Sequence, residues 1–290
     1  MMKAYYNQLM KPNRTAFIYT ISSTAGMTYT LPNYGNADFM VDWGDGNGQH
    51  VTTGRPTHVY SNSGNYVITI TGTMQYFVSN GNYNCANIIS VQSIGNVGLG
   101  TFQAMFQGCV NLTHVDFIDP VNYTINEASY MFLGCSSLVS IPNVPAFNNI
   151  LNGYVMFASC ANLVNATSST FDLVTNAQQM FQGCSKLTTI QYATFRSVQN
   201  AVFMLQGCVL LNSLPVATFQ GLTNGYGAMD NCLAFSGTGY SNLLVNMSST
   251  TRASGMYFGA AGVKYNTTGQ TAKNSIITTY GCTFVDGGLL

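Results

Sequence analysis

Met131-Phe132-Leu133-Gly134-Cys135-Ser136-Ser137-Leu138-Val139-Ser140-Ile141-Pro142 decides how this chain is read, because its opening recurs along the sequence. Met105-Phe106-Gln107-Gly108-Cys109 comes before it. Met156-Phe157-Ala158-Ser159-Cys160, Met180-Phe181-Gln182-Gly183-Cys184 and Met204-Leu205-Gln206-Gly207-Cys208 come after, and the pattern fades at Met229-Asp230-Asn231-Cys232. Successive cysteines are 26, 25, 24, 24 and 24 residues apart, and one step of 24 back from Cys109 lands on Cys85. Ile88, Leu112, Leu138, Leu163, Leu187, Leu211 and Phe235 stand three residues after the cysteines, and Asn152, Asn176, Asn200 and Asn224 stand eight before the next one. A unit of this length cannot bury its own apolar face, so the period predicts units stacked on one another. With an L-x-x-L core, it predicts a leucine-rich-repeat solenoid of about seven coils of 24–26 residues over residues 81–235.

The cysteines Cys85, Cys109, Cys135, Cys160, Cys184, Cys208 and Cys232 occupy one equivalent position per coil. That placement predicts a structural ladder of buried, reduced thiols that pack as small hydrophobes. Cys282 lies outside the ladder. There is no C-x-x-C pair, and the histidines are only His50, His58 and His114, so neither a metal site nor a cofactor is expected.

Upstream of the repeat, residues 14–80 alternate with period two. Phe17-Ile18-Tyr19-Thr20-Ile21, Phe39-Met40-Val41-Asp42-Trp43 and Tyr66-Val67-Ile68-Thr69-Ile70-Thr71 are rich in β-branched and aromatic residues and are separated by Pro, Gly and Asn clusters. Short strands follow from this, with a tight turn at Trp43-Gly44-Asp45-Gly46-Asn47-Gly48. Read as a calcium loop, Asp42 would need oxygen ligands where Gly44 and Gly46 stand, so both Asp42 and Asp45 read as turn caps. Val41-Asp42-Trp43-Gly44-Asp45-Gly46, His58-Val59-Tyr60 and Gly64-Asn65-Tyr66-Val67-Ile68-Thr69-Ile70 resemble the WGDG, HxY and GxYxVxI signatures of PKD domains. The resemblance implies an immunoglobulin-like β-sandwich with a spacer or adhesive role.

The units after it are similar to the BspA-like leucine-rich repeats of the DUF285 type, which read MFxGCxxLxxIP and often follow a PKD-like segment. Members are surface proteins or phage proteins, so the resemblance implies adhesion. The expected organisation is a β-rich two-part protein: an N-terminal extension (residues 1–13), a PKD-like sandwich (14–80), the solenoid (81–235) and a small α/β cap (236–290). The cap is expected to hold a helix around Ser241-Asn242-Leu243-Leu244-Val245-Asn246-Met247, a helix over 269–281 and a strand at Cys282-Thr283-Phe284-Val285.

Composition excludes several classes of function. The 290 residues include 9 Lys+Arg and 9 Asp+Glu, or 6% charged with zero formal net charge, against roughly 25% in an ordinary soluble domain. Without a net field, neither nucleic acid nor an anionic membrane surface has a driving force for binding. No stretch is apolar enough to insert into a membrane. The opening MMKAYYNQLMKPNR lacks the pattern of an export signal, so if Met1 is the native start the protein is expected either to stay in the cytoplasm or to leave by another route, such as release within a virus particle when the host lyses. No sustained heptad enforces an oligomer, so a homo-oligomer is left open.

Catalysis finds no constellation of residues. His114 beside Asp116 reads as an exposed strand pair, and Asp116, Asp119, Glu127 and Asp172 are placed by no paired-carboxylate motif. If a strand crosses each coil, the residues between the apolar positions point outward as a polar, nearly uncharged grid. His114, Asp116, Ser140, Asn165, Thr167, Thr189, Gln191 and Ser213 make up that grid and form the candidate ligand-binding face. The reading is a non-catalytic virion protein, a head or tail fibre or decoration, on the surface of a phage particle. Its partners would be other virion proteins or a bacterial surface receptor, with a glycan as the favoured ligand. A bacterial cell-surface adhesin is the alternative, and a glycan-degrading enzyme is the least favoured.

Overall fold

β1 (Ala16–Ser23) reads AFIYTISS and is buried on both faces, so it can fold only with a partner on each edge and cover above and below. The structure, a computed structural model, describes residues 15–80, 84–116, 125–141, 147, 149–166, 171–191, 193–214 and 216–290; the expected extension 1–13 lies outside them. On one edge of β1 lies the long β6 (Gly64–Phe77), antiparallel from Ala16 opposite Thr71 to Ser23 opposite Gly64. On the other edge lies β7 (Ile88–Ile94), also antiparallel, from Phe17 opposite Ile94 to Ile21 opposite Ile88. β3 (Asn33–Asp42) adds to β6, β4 (Gly48–Val51) adds to β3, and the two-residue β8 (His114–Val115) runs parallel to β7. One mixed sheet results, in the order β4-β3-β6-β1-β7-β8. β2 (Met27–Thr30) and β5 (Thr57–Tyr60) form a separate two-stranded sheet.

The turn between β3 and β4 is held by its aspartates. Asp42 Oδ1 accepts from Gly44 N at 2.9 Å and Asp45 Oδ1 from Asn47 N at 3.1 Å, the local side-chain bonds that make Asp a turn former. Gly44 has φ +81°, and a Cβ there would lie 2.6 Å from Val67 O, so only glycine fits. His58 Nε2 meets Asp45 Oδ2 at 2.7 Å and stacks on Trp43, and the Tyr60 hydroxyl donates to Trp43 O at 2.9 Å. Burial pushes the Asp45 carboxyl up, but the hydrogen bonds from His58 and Asn47 outweigh it and leave the group below the ordinary carboxylate range.

From Phe102 onward the chain advances by turns. Ala104, Phe106 and Gly108 donate their N–H groups to the carbonyls of Ser129, Met131 and Leu133; Tyr130, Phe132 and Gly134 do the same to Tyr154, Met156 and Ala158. On another row the direction reverses, with Val139 N donating to Thr113 O, Val164 N to Val139 O and Thr188 N to Val164 O. Successive segments therefore satisfy each other's backbone groups over two rows. Between them two columns of rings are filed. Phe106, Phe132, Phe157 and Phe181 have successive centroids 5.6, 5.3 and 5.2 Å apart, and Phe147, Phe171, Phe195 and Phe219 are 6.3, 6.3 and 5.4 Å apart.

This architecture corrects the expected PKD-like sandwich followed by a leucine-rich-repeat solenoid with a small cap. A sandwich needs two facing sheets of comparable size; here six strands share one mixed sheet and the second sheet has two. The excess comes from β7, whose residues the sequence reading gave to the first coil, and which β1 recruits because both its edges need pairing. A leucine-rich repeat needs a strand in every unit. After β7, the described residues of these units hold only the two-residue β8 and β9 (Asn224–Gly225) and isolated parallel bridges. Positive φ at Ala104, Tyr130, Val155, Gln179 and Phe203, from 51° to 61°, and at the residue before each cysteine from Cys109 to Cys232 turns the chain ahead of each cysteine. Where the strands were expected, after the cysteines, Ser140, Asn165, Thr189 and Ser213 pair through single bridges, and Phe171, Phe195 and Phe219, eleven residues after their cysteines and again at positive φ, end the extended stretch before it lengthens into a strand.

At the C-terminal end, β9, β10 (Tyr257–Ala260) and β11 (Thr283–Asp286) form a parallel sheet beside α1 (Thr238–Ser248) and α2 (Thr267–Tyr280). Asn266 caps α2 by accepting from Gly269 N, and Gly281 ends it in the left-handed conformation.

Candidate functional site

His114 stands exposed on β8, with Nδ1 2.9 Å from Thr113 Oγ1 and Nε2 3.9 Å from Asp116 Oδ2, and both members of the pair are about half exposed. Ser140, Asn165, Thr189 and Ser213 are joined in one row by parallel bridges, and the Ser213 hydroxyl donates to Thr189 Oγ1 at 3.1 Å. Thr113 O accepts from Val139 N, which places His114 next to Ser140 at the end of that row. Gln191 is exposed two residues beyond Thr189. Thr167 lies outside the described residues.

All eight cysteines are free and buried. Cys135, Cys160, Cys184 and Cys208 donate S–H to the carbonyls of Phe106, Phe132, Phe157 and Phe181, each at 3.1 Å, and Cys232 to Leu205 O at 3.0 Å. Burial pushes these five thiols up, which keeps them protonated and chemically inert. Cys85 differs: its thiol lies 3.3 Å from Gly108 O, and a hydrogen bond from Cys109 holds it down at about 7.

A second row, not singled out in the sequence as a binding face, carries more structure. Glu127, Asn152, Asn176, Asn200 and Asn224 are connected by parallel bridges. Asn152 Nδ2 donates to Glu127 Oε2 at 2.8 Å, Asn176 Nδ2 to Asn152 Oδ1 at 3.1 Å and Asn200 Nδ2 to Asn176 Oδ1 at 3.3 Å. The side-chain oxygens of Asn152, Asn176 and Asn200 each accept the N–H two residues ahead, from Tyr154, Gln178 and Val202 at 3.2 Å. Glu127 Oε1 accepts from Ser129 N at 2.7 Å, so both oxygens of this carboxylate hold the start of the ladder. Beside it, Gln179 Nε2 donates to Gln182 Oε1 and Gln182 Nε2 to Gln206 Oε1, both at 2.6 Å.

At its Glu127 end this row meets the six-stranded sheet in a groove. Tyr34 and Tyr76 are direct cross-strand partners on β3 and β6, a register that sets their Cβ atoms about 5 Å apart on one face. Gly100 N donates to Gln75 O at 2.9 Å, and a Cβ on Gly100 would lie 3.3 Å from Tyr76 Cε1, so the glycine lets that ring lie against backbone. The Arg55 guanidinium sits 3.6 Å from the centroid of Tyr34. With Val78, Asn80, Thr101, Gln103 and Glu127 these tyrosines enclose about 620 Å³. A neighbouring hollow of about 340 Å³ shares Val78, Asn80 and Gln103 and continues to Gln107 and Tyr130.

Sequence reasoning missed this groove because it depends on the β3–β6 register. In the sequence the asparagine column reads only as part of the period. Among the described residues no group of three or more His, Cys, Asp or Glu is placed to hold a metal ion, and no helix is long and apolar enough to cross a membrane. No protein-family model, curated protein or solved structure matches the chain.

Proposed function

We propose that this is a non-catalytic attachment protein on the surface of a phage particle, a head or tail fibre or decoration, which engages a bacterial surface ligand. The observation that carries the reading is the pairing of in-register rows of amide and hydroxyl side chains with a chain that is only 6% charged. The row of Ser140, Asn165, Thr189 and Ser213 offers neutral donors and acceptors at the spacing of stacked backbone, about 4.8 Å, whereas the asparagine amides of the other row are bonded to one another. Each hydrogen bond contributes little on its own, and the gain comes from repeating it along an extended ligand. The placement on a phage particle is supported by the resemblance of the MFxGC and WGDG motifs. Within the particle the partners are other virion proteins.

Two measurements test the proposal: mass spectrometry of purified particles of a phage carrying the gene, and binding of fluorescently labelled full-length protein to host cells. The protein is expected in the particles and on the cell surface. Its absence from the particles removes the virion role, and failure to label cells removes the attachment role.

A further inference from the structure

We propose that the groove between the Tyr34–Tyr76 pair and the edge carrying Thr101, Gln103 and Gln107 is a subsite for a neutral pyranose unit of a surface polysaccharide. The proposal rests on the attachment reading and adds a binding site on a different row from the one formed by Ser140, Asn165, Thr189 and Ser213. Size and shape fit: about 620 Å³ lies in the range of small-ligand clefts and accommodates one or two sugar rings. The adjoining hollow of about 340 Å³ shares three of its residues, so a longer chain has a path toward Tyr130.

The chemistry fits as well. A pyranose has a C–H face and a rim of hydroxyls, and tyrosine presents an apolar ring with a polar tip. Tyr34 and Tyr76 form a two-ring wall, and Gln75 Nε2 donates to the Tyr76 hydroxyl at 3.2 Å, fixing the second ring. The side-chain amides of Gln103 and Gln107 make no hydrogen bond to any described residue, whereas Gln182 and Gln206, in the same column as Gln107, bond to each other. The amides beside the groove thus have donors and acceptors to offer a sugar rim.

Charge selects the class of sugar. No Lys or Arg occurs between residues 56 and 185, and the cation on this wall, Arg55, lies over the Tyr34 ring. Glu127 adds a negative charge whose two oxygens are already bonded. Glu127 lines the groove, whereas Arg55 lies over the Tyr34 ring and is not part of that lining, so an acidic sugar would meet the carboxylate at closer range than the cation, and a neutral one meets no such cost.

The test uses the full chain, with cellohexaose, maltoheptaose and mannohexaose as neutral probes and 3′-sialyllactose as the charged one, read by saturation-transfer NMR and calorimetry. At least one neutral probe is expected to bind. Tyr34→Ala and Gln103→Ala should each weaken it about tenfold or more, Tyr34→Phe should retain it, and Thr279→Ala, exposed on α2, should leave it unchanged. Gln103 is exposed, so its variant reports on the groove even if Tyr34→Ala misfolds. The proposal is overturned if no neutral probe binds, if the charged probe binds more tightly, or if Tyr34→Ala and Gln103→Ala bind as the parent does. If a variant carrying both Tyr34→Ala and Gln103→Ala still attaches to cells like the parent protein, the groove is excluded and the attachment role stands. If the parent protein fails to attach, the attachment role is excluded whatever the sugar data show.

Discussion

Ser159 sits at φ 62° in a position that is glycine in four other units, where Gly108, Gly134, Gly183 and Gly207 have φ between 72° and 76°. A Cβ in this region is strained by roughly 1–2 kcal/mol, partly offset by the lower unfolded-state entropy of any residue other than glycine. Ser159 is exposed, so replacing it forfeits little packing. Ser159→Gly should therefore stabilise the protein by about 0.5–1 kcal/mol, and Gly183→Ala should destabilise it by about the same amount, both measured by urea unfolding. A Cβ on Gly183 would meet Ser159 Cα at 3.9 Å, so that cost is conformational and not a clash. The cysteines allow a second prediction at this scale. Because the Cys85 thiol is held down at about 7, its thiolate fraction rises as pH rises through 7, while burial keeps Cys135, Cys160 and Cys184 protonated. Iodoacetamide labelling followed by peptide mass spectrometry should show Cys85 reacting first, with an inflection near pH 7. Cys109→Ala, which removes the hydrogen-bond donor, should move the inflection upward. Equal labelling of all eight thiols would contradict this.

Among the elements, the asparagine ladder is the most exacting. Asn176 donates to Asn152, accepts from Asn200 and also accepts from Gln178 N, so its amide joins three successive segments. Asn176→Ala should cost about 1–3 kcal/mol by leaving these partly buried partners unsatisfied. Asn176→Asp should cost more at neutral pH, since a carboxylate would face Asn152 Oδ1 in place of a donor. Equilibrium unfolding at pH 7 checks both, and a neutral effect of Asn176→Ala would show that the ladder adds nothing to stability. The strands show where local pattern suffices. The alternating runs at Phe17, Phe39 and Tyr66 lie within β1, β3 and β6, because β-branched and aromatic residues favour a pleated, half-buried surface whatever its neighbour. Which strand lies beside which is another matter. β7 follows a fixed-period cysteine and on one edge pairs as a repeat, with β8 24 residues on, yet its other edge takes β1, about 70 residues earlier.

For the molecule as a whole, that pairing joins the two halves. One cluster of buried side chains runs from Phe17 to Cys282. Phe17 and Phe77 lie 6.4 and 6.0 Å from Phe106, which begins the first ring column, and Phe219 lies 6.0 Å from Phe258 at the far end. A chain beginning at residue 84 would lack β1 and β6, leaving one edge of β7 unpaired and Val91, Ile94 and Phe106 exposed. Such an edge and apolar patch favour aggregation. The truncated chain should therefore fail to give a monodisperse folded species by size-exclusion chromatography and circular dichroism. A folded, soluble fragment would show that the later segments stand on their own.

What the sequence by itself determined is whatever repeats, the step of two dozen residues and the columns of Leu, Phe and Asn that recur with it, together with a composition only 6% charged. Repetition is legible because each copy states the same local environment. Only the tertiary structure decided that β1 takes β7 as a partner, that single bridges stand where strands were expected, and that Tyr34 lies opposite Tyr76 on the groove lined by Gly100 and Gln103. These relations join single residues far apart along the chain, and strand register, which sets them, depends on packing that no local pattern records.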